Sequence, residues 1–180
     1  DEAEARLRQT QAPAADLGRV LALRSWIGLL HDRDNEMAIR RATDALAALS
    51  EDQPQWRVIA LWILGEAQER TGQIDASVAT FREARRTGLS LGNRLFVATV
   101  EMSLALSLNN QGRRREAVAL CEQAIARYTD ERGRPSPLAG MIFTRLGMLH
   151  YEAIRLEQAR ACYERGLALS QDLGPAGNPT

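Results

Sequence analysis

The stretch from Val58 to Asn93 constrains this chain most, because the rest of the sequence reads as imperfect copies of it. In its first half, Val58 to Gln68, apolar residues recur at three- and four-residue intervals, the spacing of a helix with one buried face. Thr71-Gly72-Gln73 is a turn. A second run then places Ile74, Val78, Phe81, Ala84 and Leu89 on a common stripe. Small residues stand where the two helices must approach closely, Gly65 in the first and Ala84 in the second. Such a helix–turn–helix unit cannot bury its own apolar face alone, so it must stack on copies of itself.

Those copies can be aligned on the turn and on the small residue of the second helix. Units begin near Arg19, Val58, Ala98 and Gly140, a period of roughly 40 residues. One aligned column reads Trp26, Gly65, Ala105, Gly147; another reads Ala42, Phe81, Cys121, Tyr163. The first unit is the most degenerate, as terminal repeats are. Leu64-Gly65, Gly72, Phe81 and Ala84 resemble the tetratricopeptide pattern, although the period exceeds the usual length of about 34. No β-type alternation is present. The expected fold is all-α, a tetratricopeptide-like right-handed superhelix of about four antiparallel helix pairs. Residues 1–13 are expected to be an N-terminal tail or the end of an upstream helix, 14–174 the repeat domain, and 175–180 a disordered tail.

Charge and residue usage narrow the function. The 180 residues carry 23 basic and 23 acidic groups, which argues against a nucleic-acid-binding surface. Every basic side chain is Arg, so a P-loop lysine, a Schiff-base lysine and a Ser-Lys pair are all excluded. Cys121 and Cys162 fall at apolar helical positions, where reduced buried thiols are the default. No apolar run approaches the ~18 residues of a membrane span, and Asp1-Glu2-Ala3-Glu4 is no signal peptide. The initial Asp, in place of Met, suggests a piece of a longer protein. The expected location is the cytoplasm.

A family resemblance rests on the fourth unit. Gly133-Arg134-Pro135-Ser136-Pro137-Leu138-Ala139-Gly140 runs into Leu146-Gly147, then Tyr151-Glu152, then Leu156-Glu157-Gln158-Ala159. This order resembles the end of the helical-repeat region in MalT-like, LuxR-type bacterial transcription regulators. Leu49-Ser50-Glu51-Asp52, Gly72-Gln73-Ile74-Asp75-Ala76 and Leu91-Gly92-Asn93 agree with it, and together they cover residues 20 to 174. One departure is Ala153-Ile154-Arg155, where the family often has Trp-Asn-Asp, so no role of that Trp carries over. The resemblance implies a sensor region that binds a small-molecule inducer or a regulatory protein. It also implies an upstream ATPase domain, which would hold ATP, and a downstream DNA-binding domain in the same full-length chain. This segment itself is expected to bind no cofactor, no metal, no nucleic acid and no membrane.

In a tetratricopeptide stack the first helix of each pair lines the concave groove. That register singles out Trp62, Glu66, Glu69 and Arg70 in the second unit and Met102, Leu106, Asn109 and Asn110 in the third. In the fourth it singles out Thr144, Arg145, Met148, Tyr151 and Glu152. Apolar area from Trp, Tyr and Met, with orientation set by Arg, Asn and Glu, suits a ligand or peptide groove. The competing reading packs Trp62 and Met148 between neighbouring pairs and leaves the charges to solvent. His150 and Glu152 do not share a helical face, so they make no metal pair. Glu66 and Glu69 do share one, but an acid–base pair would need burial to separate their pKa values. Arg113-Arg114-Arg115 opens a helix, where positive charge opposes the dipole; it reads as an exposed turn or as a phosphate or partner contact.

Two functions stay open: a regulatory binding domain without catalysis, or a free-standing tetratricopeptide adaptor for protein partners. The apolar Leu17-Val20-Leu21 face favours the first. Open apolar ends can also pair two chains, so a homodimer in isolation would not by itself be physiological.

Overall fold

A computed structural model describes residues 13–29 and 34–171. The expectations placed on residues 1–12 and on 172–180, including the disordered tail, lie outside them. The described residues form α1 (Ala14–Ile27), α2 (Asn35–Ala48), α3 (Pro54–Arg70), α4 (Ile74–Ser90), α5 (Arg94–Asn110), α6 (Arg114–Arg127), α7 (Pro137–Glu152) and α8 (Leu156–Gln171). They hold no strand; one isolated bridge, Thr129 to Pro135, pins the long α6–α7 connection. The chain divides into two units, Asp1–Val97 and Ala98–Thr180, with the boundary inside α5.

Short turns make the hairpins, and one backbone device recurs in them. At 71–73, 91–93, 111–113 and 153–155 the residue after the turn donates its N–H to a carbonyl five positions back: Gln73 to Gln68 at 2.8 Å, Asn93 to Gly88 at 3.3 Å, Arg113 to Leu108 at 2.8 Å and Arg155 to His150 at 2.9 Å. This closure needs a left-handed residue just before the donor. Gly72, Gly92 and Gly112 provide it, with φ of 77°, 65° and 80°. The fourth copy uses Ile154, at φ 59°, the one non-glycine residue with positive φ among those described. A β-branched side chain there costs about 1–2 kcal/mol. Ile154 is 83% exposed, so no packing returns that cost. Ile154→Gly is therefore expected to raise stability by about 0.5–1 kcal/mol, less than the full strain because glycine loosens the unfolded chain. A urea titration followed by circular dichroism measures it, and an unchanged midpoint would show the turn to be unstrained.

In the first unit, Leu21, Ala22, Ala45, Leu49 and Ala60 form one buried cluster and Leu29, Ala38, Ile63 and Ala67 another. Close approach of α3 and α4 depends on Gly65: a methyl group built on it would lie 2.6 Å from the Phe81 ring. Phe81 and Ala84 are buried, but Leu89, expected on the same stripe, is 42% exposed, and Gly88 takes the inward position. Arg57 closes α2, donating to the Leu46 carbonyl at 3.1 Å and the Leu49 carbonyl at 2.9 Å. The aligned column fails in the first hairpin. Trp26 is 42% exposed where Gly65, Ala105 and Gly147 are buried. The α1–α2 connection, 28–34, is longer than the three-residue turns at 71–73, 91–93, 111–113 and 153–155.

In the second unit the α7–α8 hairpin repeats the small-against-aromatic device. A methyl group on Gly147 would meet the Tyr163 ring at 2.9 Å, and one on Gly166 would meet the Gly140 carbonyl at 3.1 Å. The α6–α7 connection is held by Asp130, which accepts from the backbone N–H groups of Arg132 and Arg134 and from Arg134 Nε, each at 2.9 Å. These bonds, the one from the Arg134 backbone first, lower the pKa of its carboxyl.

Candidate functional site

Within the first unit, Trp62 is half-buried on α3 and packs against the cluster of Leu29, Ala38, Ile63 and Ala67. Its ring meets Phe96 edge-on, with centroids 6.2 Å apart. The buried part of the ring packs as the competing reading has it, and the rest stays accessible. Arg70 is also engaged: it donates to the Leu29 carbonyl at 3.0 Å, satisfying an acceptor in the chain leaving α1. Glu66 and Glu69 lie half-buried on the same helix.

Within the second unit, α5 and α7 are joined at their C-terminal ends. Asn109 donates to Glu152 Oε2 at 2.6 Å and accepts from Arg114 Nε at 3.0 Å. Asn109, Glu152 and the exposed Asn110 and Tyr151 thus lie at the same end of adjacent first helices. Tyr151 is 61% exposed. Thr144 is placed differently from the groove register. Its hydroxyl donates to the Gly140 carbonyl at 3.2 Å, and its oxygen lies 2.7 Å from a methyl built on Gly166, so it faces α8 within its own hairpin. The physical reason is the glycine pair, Gly140 and Gly166, which draws the helices together on that side. Arg145 and Met148 are half-buried and meet each other, Arg145 Nη1 to Met148 Sδ at 3.9 Å. Met102 is half-buried on α5.

The groove register passes over two arrangements. Glu101, 1% exposed on α5, accepts from Arg127 at the end of α6 and from the Tyr128 hydroxyl at 3.4 Å. Burial first, then the Glu101 carboxylate, raises the Tyr128 pKa, so the phenol stays protonated and donates. The signal was a lone carboxylate on the stripe Val97, Glu101, Leu104, Leu108. A second arrangement is a cleft of about 570 Å³ lined by Arg113, Arg114, Arg115 and Arg155 with Glu116 and Glu122. Arg155 is on the α7–α8 turn, some forty residues from the other three, and only the fold brings it there.

Reactive chemistry finds no support in the thiols. Burial pushes Cys121 up to about 12 despite the nearby Arg145 guanidinium, so it is a thiol at neutral pH. Burial likewise raises Cys162. His150 is lowered, first by burial and then by Arg155, with Glu122 opposing. No group of three or more metal-binding side chains occurs among the described residues. No described helix is long and apolar enough to cross a membrane.

Consecutive helical hairpins, a recurring left-handed stop and glycine packed on an aromatic ring define a tetratricopeptide-like repeat. The profile of the MalT-like TPR region matches residues 18–177. The chain belongs to that family. It is also similar in fold to BtubC (BKLC) from P. vanneervenii, known from a crystal structure. That likeness has a TM-score of 0.73 at 19% identity and covers 99% of this chain and 72% of the other. Identity that low carries the fold alone. No curated protein matches this chain.

Proposed function

We propose that this chain is the sensor repeat region of a LuxR-type, MalT-like transcription regulator, binding a small-molecule inducer or a regulatory protein and catalysing nothing itself. The observation that carries the proposal is the family match over nearly the whole chain. Cys121 and Cys162, whose thiols burial holds protonated, supply no thiolate nucleophile. In this reading ATP binds an ATPase domain elsewhere in the full-length chain, and another domain reads DNA. The protein works in the cytoplasm. A homodimer of the isolated segment would form through the apolar flank of α8, where Leu156 and Leu167 are 56% and 58% exposed. The coding sequence on either side is the test. An ATPase upstream and a helix-turn-helix downstream are expected; a start codon beside Asp1 and a stop after Thr180 would leave an adaptor instead.

Two substitutions separate recognition from packing. Tyr151→Ala removes an exposed ring, so helicity and unfolding stay unchanged while inducer or partner affinity falls about tenfold. Trp62→Ala removes packing as well and costs about 2 kcal/mol of stability. Calorimetry for binding and circular dichroism for helicity read both. A Tyr151→Ala protein that binds normally would move the recognition face away from this end of α7.

A further inference from the structure

The arginine-lined cleft in the second unit is an excess of charge in a chain whose formal charge is zero. Arg113 is committed, bonding Gln111 Oε1 at 3.0 Å and the Glu116 carboxylate through Nε at 2.6 Å. Arg114 uses Nε on Asn109 and keeps its terminal nitrogens. The exposed side chains of Arg115 and Arg155 make no hydrogen bond or ion pair among the described residues. With Glu116 taken by Arg113, Glu122 is the one further carboxylate on the lining, against the three remaining arginines Arg114, Arg115 and Arg155. Gathering like charges opposes folding, and three of these arginines also open a helix, where they oppose its dipole. A bound anion would relieve both costs.

We propose that this cleft binds a phosphorylated small molecule, its phosphate held between Arg115, Arg155 and the free end of Arg114. A phosphate ester suits the site better than a single carboxylate. Its second charge matches the excess, and its three terminal oxygens can accept from guanidinium forks arriving from two different helices. The cleft, at about 570 Å³, falls within the range of small-molecule pockets and has room for more than the phosphate. Val118 and Ala119 supply an apolar wall for the organic part. Position also has a consequence. Arg114 bonds Asn109 and Asn109 bonds Glu152, so a ligand drawing on Arg114 acts on the exposed end of α5 and α7. The inference stands whether or not the sensor reading does, because it uses only this cleft.

The test is a titration of the full chain with inorganic phosphate and with pyrophosphate, followed by amide NMR and run against sodium chloride at matched ionic strength. Saturable shifts are expected at amides 109–119 and 152–157, the cleft together with the Asn109–Glu152 relay that leads from it. In Arg155→Gln and Arg115→Gln the affinity for pyrophosphate falls about tenfold or more each. Arg86→Gln, an exposed change on α4, leaves it unaltered. Both cleft positions are exposed, and well-dispersed spectra of the variants confirm that they fold. Shifts that sodium chloride reproduces, that spread beyond the cleft and this relay or that survive Arg155→Gln would overturn the proposal. So would an acidic peptide that binds the cleft when neither phosphate nor pyrophosphate does.

Discussion

Phe81→Ala is expected to lower the unfolding free energy by about 3–5 kcal/mol, the largest loss of any single truncation in the first unit. Phe81 is 1% exposed and its ring lies in the gap that Gly65 leaves open. Truncation therefore removes the transfer free energy of a whole ring and leaves a cavity. Glycine opposite it has no side chain to move in, and the backbones of α3 and α4 are held by their own hydrogen bonds. The unit can report on itself, because Trp26, Trp56 and Trp62 all fall within Asp1–Val97 and no tryptophan lies beyond it. Tryptophan fluorescence in urea follows that unit, and its midpoint should fall sharply. A loss below about 1 kcal/mol would mean that α3 and α4 close over the gap. A compensating Gly65→Ala in the Phe81→Ala background should recover part of the loss, whereas Gly65→Ala alone should destabilise.

Arg127→Met is the second large effect, also about 3–5 kcal/mol, and it lies in the other unit. Methionine keeps most of the apolar length of the side chain but withdraws the guanidinium that faces Glu101. The carboxylate is 1% exposed and cannot turn to water, so it is left charged with weaker partners or must take up a proton. Breaking a buried pair from one side is costly even where the intact pair adds little. The double variant Glu101→Met with Arg127→Met should for that reason recover most of the loss. Far-UV circular dichroism in urea measures both. If the double variant is as unstable as the single one, the cost comes from lost packing of the Arg127 stem and not from the stranded charge.

Sequence alone determined the helical hairpins, their turns and the repeat. Those depend on local rules: three- and four-residue apolar spacing, glycine where φ is positive, and a small residue facing an aromatic one. Gly65, Gly72 and Phe81 do in three dimensions what their spacing implied. The resemblance carried by Gly133 to Gly140 and by Leu146-Gly147 led to the family that the profile match assigns. Tertiary structure decided the rest, because exposure and partners depend on atoms far away in the chain. Helical register placed Thr144 with Tyr151 and Glu152, yet the glycine pair Gly140 and Gly166 turns Thr144 toward α8. It placed Trp62 on a groove face, and only the fold shows that part of the same side chain packs on the cluster of Ala38 and Ile63. Register cannot show that Glu101 meets Arg127, or that Arg155 lines one cleft with Arg115. The first brings together charges on the two helices of one hairpin and the second charges on successive hairpins, and only packing sets either distance.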